Sequence, residues 1–106
     1  MGKSSFKYEI VLIAVIGDRH GTLSADITDN RINGVIHVMD QDNHFSGTVD
    51  EKGNCNISGT IKTLLRNAEY TAEGFLDKSR ITLSLDINGK KMIIAGTAAD
   101  NGGNAT

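Results

Sequence analysis

The sequence of 106 residues has no proline, no tryptophan and a single cysteine. Each of these scarcities removes a class of protein. Cys55 alone can neither close an internal disulfide nor anchor a cysteine-rich metal site, and it fits a reducing compartment. Two tyrosines and three phenylalanines are too few for a platform that stacks bases or sugars. A net charge of -2 leaves no electrostatic footprint for nucleic acid or an anionic membrane. Long apolar runs are missing as well. The run from Ile10 to Ile16 falls far short of a membrane span. Glu9 precedes it and Gly17-Asp18-Arg19 follows it, which is not the layout of a secretory signal. Phe6 stands where a myristoylation signal wants Ser or Thr. The expectation is a cytoplasmic protein with no nucleic-acid partner, no membrane partner and no cofactor. Residues 1–98 form one domain in this reading, and 99–106, with Asn101-Gly102-Gly103-Asn104, form a flexible tail.

What is present is alternation. Ile81, Leu83, Leu85 and Ile87 are separated by Thr82, Ser84 and Asp86, and Asn88-Gly89 follows as a two-residue hairpin signal. Pairing Ile87 with Lys90 sets Leu85 against Met92 and Leu83 against Ile94, so the apolar set stays in phase across the turn. The same test predicts six further hairpins. A turn at Asp29-Asn30 pairs Ala25 with Gly34, and one at Lys78-Ser79 pairs Leu76 with Ile81. Gln41-Asp42 pairs Val38 with Phe45, and a loop at Lys52-Gly53-Asn54 pairs Gly47 with Gly59. Asn67-Ala68 pairs Leu65 with Tyr70, and Asp18-Arg19 pairs Leu12 with Ala25. The predicted fold is all-β: an antiparallel meander of about eight strands closed as a small up-and-down barrel. The lack of proline suits such ladders. A helical period competes only between Thr60 and Ala72.

The stretch from Phe45 to Ile61 contains Ser-Gly-Thr twice, at 46–48 and 58–60. A phosphate-binding loop needs G-x-x-x-x-G-K-[ST] opening a helix, and a serine nucleophile needs G-x-S-x-G on a strained turn; neither pattern is here. The glycines read instead as architecture. Gly21, Gly34, Gly47, Gly59, Gly74 and Gly96 fall in the inward row, where glycine permits a sheet to coil and close. Asp40 to Glu51 imitates a calcium loop, but its sixth position is Phe45 where glycine is required.

Candidate sites follow from this layout. The inward row carries no charge, so the interior is either a packed core or a pocket for one small apolar ligand. Gly34, Gly47, Gly59, Gly74, Phe45 and Tyr70 would line that pocket, and Tyr70 would be its polar handle. The odd-numbered turns gather Asp18, Arg19, His20, Asp40, Asp42, His44, Arg66 and Glu69 at one rim. Within that set His20, His44, Asp18 and Asp42 are weak candidates for acid–base chemistry, with no metal assigned. His37 reads as a surface or interface residue. Val11, Ile13 and Val15 point outward on the first strand, joined by Ile93 and Ala95 if the barrel closes. Such a patch predicts a homo-oligomer, a dimer first. The layout is similar to that of avidins and other small ligand-binding barrels, although the tryptophans lining an avidin pocket are absent, which argues against biotin. The functional expectation is a non-enzymatic, oligomeric binding module with an apolar interior. The alternatives are a rim enzyme, such as an isomerase or cyclase, and a structural subunit with a solid core.

Overall fold

A computed structural model describes residues 3–14, 17–62 and 67–99. Eight strands follow one another: β1 (Lys3–Ala14), β2 (Gly17–Thr28), β3 (Arg31–Val38), β4 (Gln41–Val49), β5 (Asn54–Lys62), β6 (Asn67–Leu76), β7 (Arg80–Ile87) and β8 (Lys90–Ala98). Each pairs antiparallel with the next, and β8 pairs with β1 through Ile10–Gly96 and Ile13–Ile93, so the meander is a closed barrel. Period-two alternation dictates this. In β7 every second side chain is buried and those between are exposed or half-buried, so burial of one face stabilises the strand while the other stays wet. Leu23, Ile36, Leu85 and Ile94 are wholly buried at the centre. Each contributes roughly 1.5–3 kcal/mol by leaving water. Thr60–Lys62 and Asn67–Ala72 are strand, which excludes the helical alternative there; residues 63–66 lie outside the described part.

Three of the expected registers hold. Ala25 faces Gly34, Leu76 faces Ile81, and Leu83 faces Ile94. Four others slip along the strand. The β3–β4 turn is Met39-Asp40, with both residues at positive φ (55° and 59°), so Val38 faces Gln41 and Gly34 faces Phe45. In β4–β5 Gly47 faces Ile57, and Phe45 faces Gly59. Tyr70 faces Gly59 in β5–β6, and Leu12 faces Arg19 in β1–β2. The reason for the β3–β4 slip is Asn43. It is buried on the inner face, 1% exposed, a face that the sequence reading takes as almost wholly apolar.

The glycines serve close approach between strands. A Cβ on Gly47 would lie 1.9 Å from the carbonyl oxygen of Asn56, and one on Gly74 would lie 1.9 Å from that of Thr82. In both cases the oxygen belongs to the residue just before the direct cross-strand partner, Ile57 or Leu83. The neighbouring strand therefore bends into the space a side chain would fill, which is how a sheet coils tightly enough to close.

The two ends of the barrel differ. The lower end carries the turns at Asp29-Asn30, Asp50–Gly53 and Asp77–Ser79, and main-chain bonds stitch these to neighbouring strands. Val49 N donates to Asn30 O, Leu76 N to Gly53 O, and Ala98 N to Ser79 O, at 2.8–3.0 Å. Ala99 N donates to Lys7 O at 2.9 Å, which ties the first residue of the expected tail; residues 100–106 lie outside the described part. At the upper end two ladders stop early. The last β4–β5 rung is Phe45–Gly59, and the last β6–β7 rung is Thr71–Asp86. Above them β5 and β6 pair only with each other, out to Lys62–Asn67.

Candidate functional site

Following one rung across the sheet gives an inner row of Gly34 on β3, Phe45 on β4, Gly59 on β5 and Tyr70 on β6. Four of the six expected ligand-lining residues thus stand side by side, small alternating with large. A Cβ on Gly34 would meet the Phe45 ring at 2.5 Å, so that ring already covers its glycine. The Tyr70 hydroxyl lies 3.1 Å from the Cβ position of Gly59. Gly47 and Gly74 stand apart from this row, on rungs nearer the lower end.

Tyr70 is 3% exposed, and its hydroxyl is buried without a hydrogen-bond partner among the described residues. Leaving such a group unpaired costs on the order of 1–3 kcal/mol. Burial pushes its pKa up to about 12, so the phenol keeps its proton and can donate. Tyr8, the other inward tyrosine, donates to the Asp77 carbonyl at the lower end. Asn43 is likewise satisfied. Its Nδ2 donates to Ile36 O (3.0 Å) and Gln41 O (3.2 Å), and its Oδ1 accepts from Lys62 N (2.9 Å). That last bond is what holds the upper arm of β5 to β4 where the ladder has ended. Tyr70 lies beside both forks, one residue past the last β6–β7 rung and opposite the last β4–β5 rung.

Two open grooves flank β5 on the outer surface and share Ser58, Gly59 and Thr60. One, of about 600 Å3, includes Asn33, His44 and Ser46. The other, of about 580 Å3, includes Glu69, Tyr70, Thr71 and Asp86. In the second groove the charged groups are acidic: Glu69 is exposed, and Asp86 pairs with Lys91 at 3.1 Å.

The weak catalytic candidates are distributed over the outer face. His20 and Asp18 on β2 stand opposite Val11 and Ile13 of β1. His44 stands opposite Val35, and Asp42 opposite His37. Asp42 pairs with His37 at 2.7 Å, both exposed; sequence reasoning missed that partner because the slipped register had separated them. Strand β3 lies between the β2 pair and the β4 pair. Among the described residues no group of three or more His, Cys, Asp and Glu is placed to hold a metal. Cys55 is buried and its thiol is pushed up to about 11, chiefly by desolvation, so it is a poor nucleophile.

The outward apolar residues do meet. Ile13 pairs with Ile93 and Val11 with Ala95 across the β1–β8 seam. Ile13 and Ile93 are the exposed large hydrophobic residues of the described chain, at 43% and 45%. Val15 lies outside the described residues.

These features define a class: a small, closed, antiparallel β-barrel with an apolar inner face. No family model matches the sequence, and no curated protein matches it. Among solved structures the chain is similar to a redesigned β-barrel, mFAP1, solved bound to DFHBI. The TM-score is 0.68 with 11% sequence identity, over 89% of this chain and 93% of that one. The likeness is one of fold. Among the described residues no helix is long and apolar enough to cross a membrane.

Proposed function

We propose that the protein is a non-enzymatic binding barrel that takes one small apolar ligand at its upper end, beside Tyr70. The observation that carries this is the Tyr70 hydroxyl, buried and without a partner among the described residues. Tyr8 and Asn43 are satisfied, whereas among the described residues the Tyr70 donor is unmet, and a bound acceptor would meet it. The two forked seams at the upper end support placing the site there. The solved complex of mFAP1 with DFHBI supports reading a barrel of this layout as able to hold a ligand. The active species in this reading is a cytoplasmic dimer joined through Val11, Ile13, Ile93 and Ala95, because the exposed Ile13 and Ile93 and the half-buried Val11 and Ala95 form one outward strip.

Native mass spectrometry of the purified, untagged protein tests this, with the same sample then run denatured. An added mass that denaturation releases supports the reading and yields the ligand for identification. No added mass, together with no saturable uptake of neutral apolar probes, overturns it.

A further inference from the structure

We propose that the ligand is an uncharged molecule presenting one carbonyl-type oxygen to the Tyr70 hydroxyl, and that the site selects against anions. The proposal rests on the binding reading above and narrows its chemistry. Hydrogen-bonding capacity inside the described barrel is nearly used up. The Tyr8 hydroxyl is committed to the Asp77 carbonyl, and the Asn43 amide to Ile36, Gln41 and Lys62. The Tyr70 hydroxyl therefore supplies a single donor, enough for one acceptor atom.

A carboxylate or sulfonate needs more than that. A buried anion with one phenol donor and no cation beside it carries a large desolvation penalty. Among the described residues no lysine, arginine or histidine is buried. The nearest groove adds repulsion through the exposed Glu69, while Asp86 there is paired with Lys91. A ketone, ester or amide oxygen, by contrast, is matched by one O–H donor, and its apolar body suits the Phe45 and Tyr70 rings. The forked β4–β5 seam lies beside this site. Gly59 is its last rung, the Tyr70 hydroxyl lies against Gly59, and beyond it the arms are joined through Asn43 and Lys62.

The test uses two fluorescent naphthalene probes of similar size, the neutral ketone prodan and the anionic sulfonate ANS, titrated against the intact protein and against Tyr70→Phe. Circular dichroism first confirms that both proteins are folded. The expected result is saturable binding of prodan, at least tenfold preference over ANS, and about tenfold weaker prodan binding in Tyr70→Phe. The bound ketone should also show a carbonyl stretch lowered by hydrogen bonding in the parent protein, a readout that needs no variant. Equal prodan affinity in parent and Tyr70→Phe, an unshifted carbonyl stretch, or a preference for ANS would overturn the ligand class and the role of Tyr70, while leaving a binding barrel standing. Failure of the folded parent to bind either probe would overturn both.

Discussion

The side-chain carbonyl of Asn43 accepts the main-chain N–H of Lys62 at 2.9 Å, across a seam where β4 and β5 no longer exchange ladder bonds. One side chain thus substitutes for a missing peptide unit, and its Nδ2 also meets two carbonyls of the β3–β4 hairpin. Asn43→Leu keeps much of the volume but leaves Lys62 N, Ile36 O and Gln41 O short of a partner. A loss of about 2–3 kcal/mol is expected, read as a fall in Tm of roughly 10–20 °C. Amide exchange should accelerate first at Lys62 and leave the lower-end amides of Val49 and Leu76 protected. Uniform acceleration would show that Asn43 supports the whole barrel and not the upper seam.

Glycine at 47 and glycine at 89 are required for different reasons, and alanine separates them. At Gly47 the backbone is ordinary but a Cβ would lie 1.9 Å from Asn56 O. At Gly89 space is open, and only the positive φ of 84° resists a side chain. Gly47→Ala should destabilise by about 3 kcal/mol or more, since a strand must move. Gly89→Ala should cost about 1 kcal/mol, the usual left-handed penalty. Chemical denaturation of the two variants gives the comparison, and equal losses would remove the close-approach explanation of the inward glycines.

The faces of the strands were legible in the sequence, and four of the seven hairpin registers were not. Turns with a strong local signal, Asp29-Asn30, Lys78-Ser79 and Asn88-Gly89, gave correct pairings. Met39-Asp40 carries a weaker signal, because Met39, unlike Asp40, is not a usual occupant of a turn with two positive φ values. Every slip was by an even number of residues, so inward side chains stayed inward and the barrel survived the error. The row Gly34–Phe45–Gly59–Tyr70 did not survive it, since glycines 47 and 59 had been set opposite each other. Asn43 was hidden by the assumption that an inner row is almost wholly apolar. Aspartates mark three of the turns: Asp50 accepts from Lys52 and Asn54, Asp77 from Ser79 and Arg80, and Asp86 from Gly89.

Stability should fall on the alkaline side. Burial pushes Tyr8 and Tyr70 up to about 12 from 10.0, with the Asp77 charge adding to the shift at Tyr8, and pushes Cys55 up to about 11 from 9.0. All three are neutral when protonated, and the folded state holds the proton more tightly than the unfolded one. Their contribution is therefore complete below the unfolded values and is lost as pH rises from about 9 towards 12. Urea midpoints measured from pH 8 to 11.5 should decline progressively. Cys55→Ala should delay the onset of the decline, and Tyr8→Phe should flatten its upper part. A midpoint independent of pH over that range would mean that these groups titrate alike in the folded and unfolded chains.

Ile13 and Ile93 give the dimer its test. They are direct partners across the β1–β8 seam, nearly half exposed, and extended along the strands by Val11 and Ala95. Covering the exposed half of one isoleucine yields about 1 kcal/mol, so a two-fold contact that covers four of them yields on the order of 4 kcal/mol before the losses of association. That is a weak dimer, and it must show concentration dependence. Sedimentation velocity from low to high micromolar concentration should show dimer building up in the parent protein. Ile13→Asp should remain monomeric throughout, because the symmetric contact would then bring two carboxylates together. Its stability at low concentration should fall by about 1 kcal/mol, because the new carboxylate would face Asp18 across β1–β2 and lose the Ile93 contact, while circular dichroism still shows a folded barrel. If Ile13→Asp dimerises as readily as the parent, the contact lies elsewhere on the barrel; if the parent stays monomeric at every concentration, the outward strip is not an interface between copies of this chain.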